Sequence, residues 1–167
     1  MNVWLNTASL LACGLALVAC SQQDASSPKE PTPSTGGTAP TSCSYGARPA
    51  LPANLTSYLQ GSSVDVCPTL TAGKGALLLM GGGSDVDAAF SNRVAPQIKG
   101  GNIVVLRTSG ADGYNSYLMG MTNAASVETL LVDSVEKANS DYVQWAIQSA
   151  EAVFLAGGDQ SAYLNAW

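Results

Sequence analysis

The second half of the chain alternates short apolar runs with segments of helical periodicity, and this alternation limits the folds open to it. The apolar runs predict strands over residues 76–80, 102–107, 127–132 and 152–156. The intervening and following segments predict helices over residues 86–98, 114–124, 140–150 and 161–167. This βαβαβαβα order is typical of parallel strands joined by right-handed crossovers. We therefore predict an α/β fold over residues 75–167, with a doubly wound, mostly parallel sheet in a three-layer sandwich.

Two of the predicted strands end in glycine-rich loops that carry an acid. The first strand leads into Gly81-Gly82-Gly83-Ser84-Asp85, and the fourth leads into Gly157-Gly158-Asp159-Gln160. Ligands of open α/β sheets bind outside the carboxyl ends of the strands. A tight turn explains one or two glycines, whereas three in a row indicate a backbone that approaches a ligand. We predict one site built from both loops.

Both loops also allow structural interpretations. Ser84 or Asp85 suits the N-cap of the first helix, and Asp159 suits that of the last. A dinucleotide site is a further alternative, in which Arg107 contacts a 2′-phosphate, but Val86 stands where the fingerprint needs its third glycine.

Composition excludes several chemistries within these 167 residues. The chain contains no histidine, so it cannot assemble a Ser-His-Asp triad, a Cys-His pair or a histidine-ligated metal. None of its four lysines adjoins a plausible active-site loop, which argues against a Ser-Lys pair. We expect no metal and no cofactor. The net charge of −5, without a basic stripe, also argues against a nucleic-acid partner.

The amino-terminal residues predict export. Residues 1–19 suit a signal peptide, because their apolar run is too short to span a bilayer. Leu17-Val18-Ala19-Cys20 resembles the bacterial lipobox, although no Lys or Arg precedes it. The resemblance implies a lipid on Cys20 that anchors an exported protein, and the lack of Asp after Cys20 favours the outer membrane, facing the periplasm or the cell surface. The alternative is a short apolar segment that happens to end in cysteine.

Two segments separate the predicted leader from the α/β region. Residues 20–42 are rich in Pro, Ser, Thr and Gly, and we expect a disordered tether. Residues 43–74 form a pre-domain segment whose apolar residues have roughly helical spacing (Leu51, Leu55, Tyr58 and Leu59). Outside the cytoplasm the remaining cysteines, Cys43 and Cys67, are expected to form a disulfide, with two free buried thiols as the alternative.

Residues 76–167 resemble the cyanophycinase and aspartyl dipeptidase group of serine peptidases, which share the class I glutamine amidotransferase-like, flavodoxin-like fold. The resemblance rests on LLLMGGGSD, on IVVLRTSGAD and on AVFLAGGDQ. It implies that Gly82 and Gly83 lend backbone N–H groups to an oxyanion hole. It also implies that the loop Gly157, Gly158, Asp159 and Gln160 contacts the substrate.

The family's nucleophile is a serine in a GxSAGA elbow, followed by a histidine, and neither occurs among these residues. Ser84, Ser109 and Ser161 lie in or next to loops but do not match the elbow. The resemblance therefore implies a domain truncated after its fourth strand and inactive alone. For the intact protein it implies a lipid-anchored serine peptidase that hydrolyses peptide or isopeptide bonds at aspartyl residues. The alternative is a non-catalytic binding lipoprotein that uses the same crevice. The sequence does not indicate an oligomeric state.

Overall fold

The computed structural model describes residues 43–73 and 75–167, together with the backbone of Asn2–Leu5. Cys20, the tether and most of the predicted signal peptide lie outside the described residues. The strands are β1 (Asn2–Leu5), β2 (Thr56–Gly61), β3 (Leu77–Met80), β4 (Asn102–Arg107), β5 (Ser126–Leu131) and β6 (Ala152–Leu155).

These strands form one mixed sheet in the order β2-β5-β4-β6-β1-β3. Strand β4 pairs in parallel with β5 and β6. Strand β1 runs antiparallel to both β6 and β3, which makes β3 parallel to the other three predicted strands. Strand β2 is antiparallel to β5. The α/β class and the mostly parallel sheet predicted from the alternation of elements are therefore confirmed.

The helices are short, and each of the four predicted helical segments contains at least one of them. They are α1 (Asp87–Ala89), α2 (Ala95–Ile98), α3 (Asn115–Thr122), α4 (Val135–Ala138), α5 (Asp141–Ser149) and α6 (Gln160–Ala166), with a π-helical turn at Phe90–Val94 between α1 and α2.

Two apolar clusters cover the two faces of the sheet. On one face the α1–α2 segment and α3 pack on alternate residues of β4, β5 and β6 (Phe90, Val94, Ile98, Leu118, Ile103, Val105, Val127 and Phe154). On the other face α5 packs on the intervening residues (Tyr142, Val143, Ala146, Val104, Leu106, Leu130 and Val153). Because β4 is buried on both sides, its near-continuous apolar sequence is what a central parallel strand requires.

The segment predicted to precede the domain supplies an edge strand of its sheet. Strand β2 lies within residues 43–74, so the roughly helical spacing there was misleading. The strand ends at Gly61, whose φ is +96° and where a Cβ would come within 2.3 Å of the Ala125 carbonyl oxygen. Only glycine meets both conditions.

The first helix starts later and less regularly than its sequence predicts. Its N-cap is Val86, with no side-chain cap, so neither Ser84 nor Asp85 has the predicted capping role. Pro96 lacks a backbone N–H, and the widened π-helical turn lies immediately before the α2 segment that contains it. In contrast, Ser140 caps α5 at the start of the helix predicted over residues 140–150, accepting a hydrogen bond from the Val143 N–H.

Candidate functional site

The carboxyl ends of β3, β4 and β6 lie at the same edge of the sheet, because these strands are parallel. The loops that follow them hold the residues selected from the sequence. Strand β1 lies between β3 and β6, so the loop after Gly81 leaves the sheet two strand spacings, about 10 Å, from the loop after Gly157. The two loops are therefore not adjacent, as the prediction of one site built from both loops would require.

The loop after β3 exposes its backbone. Gly81, Gly82 and Gly83 are all exposed, and a Cβ at any of them would meet no described atom within 4 Å. Only Gly83 has a backbone that requires glycine, with φ of +111°. Neither packing nor backbone conformation thus explains why Gly81 and Gly82 are glycines, and their backbone is open to a ligand.

The two polar residues in the loop after β6 differ in their contacts. The Asp159 carboxylate accepts hydrogen bonds from the Ser161 N–H at 2.9 Å and the Ser161 hydroxyl at 2.8 Å. The hydrogen bonds from Ser161 lower the pKa of Asp159. Asp159 is therefore the N-cap of α6, the structural role that its sequence context allowed. Gln160 is exposed and is free to contact a ligand.

A cavity of about 630 Å³ opens beside α6. Gly158 and Gln160 line it together with mostly apolar side chains (Leu155, Ala156, Tyr163, Leu164 and Trp167). Leu164 is 83% exposed and Trp167 is 41% exposed, so this wall is an apolar surface open to solvent. A concave, largely apolar cavity with a few polar groups at one side is the usual form of a small-ligand site.

At the exit of β4, sequence reasoning considered Arg107 only as a 2′-phosphate contact and missed the cluster that surrounds it. The guanidinium of Arg107 lies 5.7 Å from the ring centroid of Tyr114 and donates a hydrogen bond to the Ala111 carbonyl oxygen at 2.8 Å. Nearby, the Tyr163 hydroxyl donates to the Ala156 carbonyl oxygen at 2.6 Å. Burial raises the pKa of Tyr163, while the positive charge of Arg107 opposes that increase. The available signal was an arginine that ends an otherwise apolar strand.

The serines and lysines of the described segments form no nucleophile–base pair. The Ser161 hydroxyl is committed to Asp159, as the N-cap geometry shows. The Lys99 ammonium donates to the Thr69 carbonyl oxygen, and that of Lys137 pairs with Asp133 at 2.6 Å. These contacts leave no lysine beside Ser84 or Ser109 within residues 75–167.

The opposite edge of the sheet holds the Cys43–Cys67 disulfide, with the two Cα atoms 5.7 Å apart. Asp65 lies between these cysteines and completes a group of three potential metal ligands. Because both sulfurs are committed to the disulfide, the group lacks the free thiolates that bind a metal. The disulfide instead closes the segment that carries β2.

Comparisons with known proteins add no assignment. No family model, curated protein or solved structure matches this chain. Within the part of the chain that the structure describes, every helix is too short or too polar to cross a membrane. Function must therefore be argued from the loops and their chemistry.

Proposed function

We propose that these 167 residues are part of an exported serine-type peptidase of the cyanophycinase kind, with the flavodoxin-like, class I glutamine amidotransferase-like fold. It would hydrolyse peptide or isopeptide bonds at aspartyl residues. One observation carries the proposal: the Gly157–Gln160 loop leaves a parallel strand at the carboxyl edge of the sheet and lines a cavity there. In this loop Asp159 caps a helix, which leaves Gln160 as the polar side chain available to a substrate.

The remaining parts of the proposed mechanism divide between this chain and sequence outside it. Gly82 and Gly83 would supply backbone N–H groups to an oxyanion, and their exposure supports that role. The serine nucleophile and its base would lie outside these residues, since the chain has no histidine. In the proposed active protein, the Gly81–Gly83 and Gly157–Gln160 loops would both have to face the nucleophile.

The test is the reading frame that contains this chain, followed by an assay of its product. A downstream GxSAGA elbow and histidine, together with hydrolysis of β-aspartyl dipeptides, would support the peptidase. In that protein Gln160→Ala should raise KM at least tenfold, whereas Gln144→Ala, an exposed glutamine on α5, should leave KM unchanged. Absence of both elements, with dipeptide binding retained, would favour the non-catalytic binding lipoprotein instead.

Membrane anchoring through Cys20 belongs to the same proposal. It rests on the LVAC sequence, which lies outside the described residues. Mass spectrometry of membrane-extracted protein should find a mature chain that starts at acylated Cys20. A soluble product that retains residues 1–19 and a free Cys20 thiol would contradict it.

A further inference from the structure

Arg107 is a half-buried cation that has no ion-pair partner among the residues that the structure describes. The ion pairs found among residues 43–73 and 75–167 are Arg48–Glu128 and Lys137–Asp133, and neither involves it. Its Nη1 donates to the Ala111 carbonyl oxygen, whereas its Nε is buried without a hydrogen-bond partner in the described structure. Taking a charge out of water is costly unless an opposite charge compensates for it.

The loop after β4 is shaped around this guanidinium. Gly110 has φ of +100°, and a Cβ there would lie 2.5 Å from Nη2 and 2.8 Å from Cζ of Arg107. The ring of Tyr114, the N-cap residue of α3, lies 5.7 Å from the guanidinium carbon. The cation–π contact with this ring and the hydrogen bond to the Ala111 carbonyl oxygen restrain the guanidinium in one position. The group is therefore positioned before any ligand arrives.

The guanidinium also lies close to the loop predicted to contact substrate. The positive charge of Arg107 opposes the rise that burial causes in the pKa of Tyr163, so the two side chains are electrostatic neighbours. The Tyr163 ring in turn lies 3.7 Å from the position that a Cβ on Gly158 would occupy. Tyr163 thus connects the Arg107 guanidinium with the Gly157–Gln160 loop.

We propose that Arg107 binds the side-chain carboxylate of an acidic substrate residue at the exit of β4. This inference rests on the proposed function and assigns its specificity for acidic residues to a particular group. A guanidinium pairs with a carboxylate through parallel N–H donors, and Nη2 makes no hydrogen bond within the described structure. A carboxylate carries one negative charge and so neutralises the single charge of Arg107.

The test titrates the 167-residue chain with N-acetyl-aspartate α-amide, which has one carboxylate, and with N-acetyl-asparagine α-amide, which has none. The aspartate compound should shift the Arg107 Nε–Hε NMR resonance saturably, and the asparagine compound should bind at least tenfold more weakly. Arg107→Gln should weaken binding of the aspartate compound at least tenfold. The matched control Arg93→Gln, which removes the same charge from an exposed position, should change it less than twofold.

Gly110→Ala provides a second perturbation that keeps the charge but displaces the guanidinium, and we expect several-fold weaker binding. If Arg107→Gln does not fold, this variant and the wild-type resonance still decide the question. Equal binding of both amides, an unshifted Arg107 resonance, or binding of inorganic phosphate in preference to the aspartate compound would overturn the proposal.

These outcomes are separate from those of the peptidase assay, because binding needs no turnover. Hydrolysis of β-aspartyl dipeptides by the protein that the reading frame encodes, with no effect of the aspartate amide on Arg107, would refute the role of Arg107 alone. Carboxylate binding at Arg107 without any hydrolysis would support Arg107 and refute the peptidase.

Discussion

Glu151 should make the protein less stable as the pH rises through neutrality. The side chain lies between α5 and β6 and is only 5% exposed. Its carboxylate accepts a hydrogen bond from the Asn102 N–H at 2.5 Å. Burial raises the pKa of Glu151 to about 7, the nearby charge of Asp65 adds to the increase, and the Asn102 hydrogen bond opposes it.

The direction of the pH effect follows from where the proton is held more tightly. Glu151 has an ordinary pKa of 4.5 when unfolded and a pKa of about 7 when folded, so the folded state binds the proton better. Its stabilising contribution is complete below pH 4.5 and is lost as the pH rises through 7. At about 1.4 kcal/mol for each pH unit, the loss is about 3 kcal/mol.

Glu151→Gln tests this reasoning, since glutamine has the shape of the protonated acid and can still accept from the Asn102 N–H. We expect the variant and the wild type to be similar at pH 4, and the variant to be more stable by about 3 kcal/mol at pH 8. Urea unfolding from pH 4 to pH 8, followed by the fluorescence of the buried Trp145, measures the difference.

The matched control is Glu136→Gln, which replaces an exposed carboxylate that accepts a hydrogen bond from Asn54; because it retains Glu151, it should keep the loss of stability between pH 4 and pH 8. A weaker slope of the same sign should remain in Glu151→Gln, because burial also raises the pKa of Asp65. Parallel profiles for wild type and Glu151→Gln would refute the argument, as would an NMR titration of the Glu151 carboxyl near pH 4.5.

Three further predictions concern stability, each measured by denaturant unfolding. Phe154→Ala should lower the free energy of unfolding by about 3–5 kcal/mol, because this fully buried ring packs edge-on against two other rings. Leu164→Ala, at a site that is 83% exposed, should change it by less than about 0.5 kcal/mol, and equal effects of the two variants would contradict the core assignment. Glu128→Ala should cost about 3 kcal/mol, because it leaves Arg48 and two hydroxyl groups without their buried acceptor; a neutral result would show that water replaces it. Replacing Cys43 and Cys67 by alanine should cost about 3 kcal/mol, and an unchanged unfolding midpoint after reduction of the wild type would count against a structural disulfide.

The strands and helix caps that depend on local sequence patterns were predictable. Strand β4 has the predicted bounds, because its apolar run is continuous and a glycine pair precedes it. Helix α5 begins where the sequence predicts it, because its cap Ser140 needs only the next few residues to make its hydrogen bond. The capping role open to Asp159 depends on equally short-range contacts.

The candidate site was predictable in its parts but not in its arrangement. The two glycine loops were found from their sequences, and both follow strands of the parallel set. Their separation by β1, the cluster around Arg107 and the part played by Tyr163 depend on which strands are neighbours. Glycine spacing along the chain carries no information about that order.

The sequence by itself determined the class of the fold, the alternation of strands and helices over residues 75–167, and the absence of histidine chemistry from the chain. Tertiary structure decided that β2 joins the sheet, because an edge strand is selected by its partner β5 rather than by its own weak pattern. It also decided that Glu128 is buried on β5, where Ser57, Tyr142 and Arg48 surround its carboxylate. Helix caps and apolar runs depend on contacts within a few residues. Strand neighbours and buried polar partners come from segments tens of residues apart, so their pairing is decided only when the sheet and helices pack together.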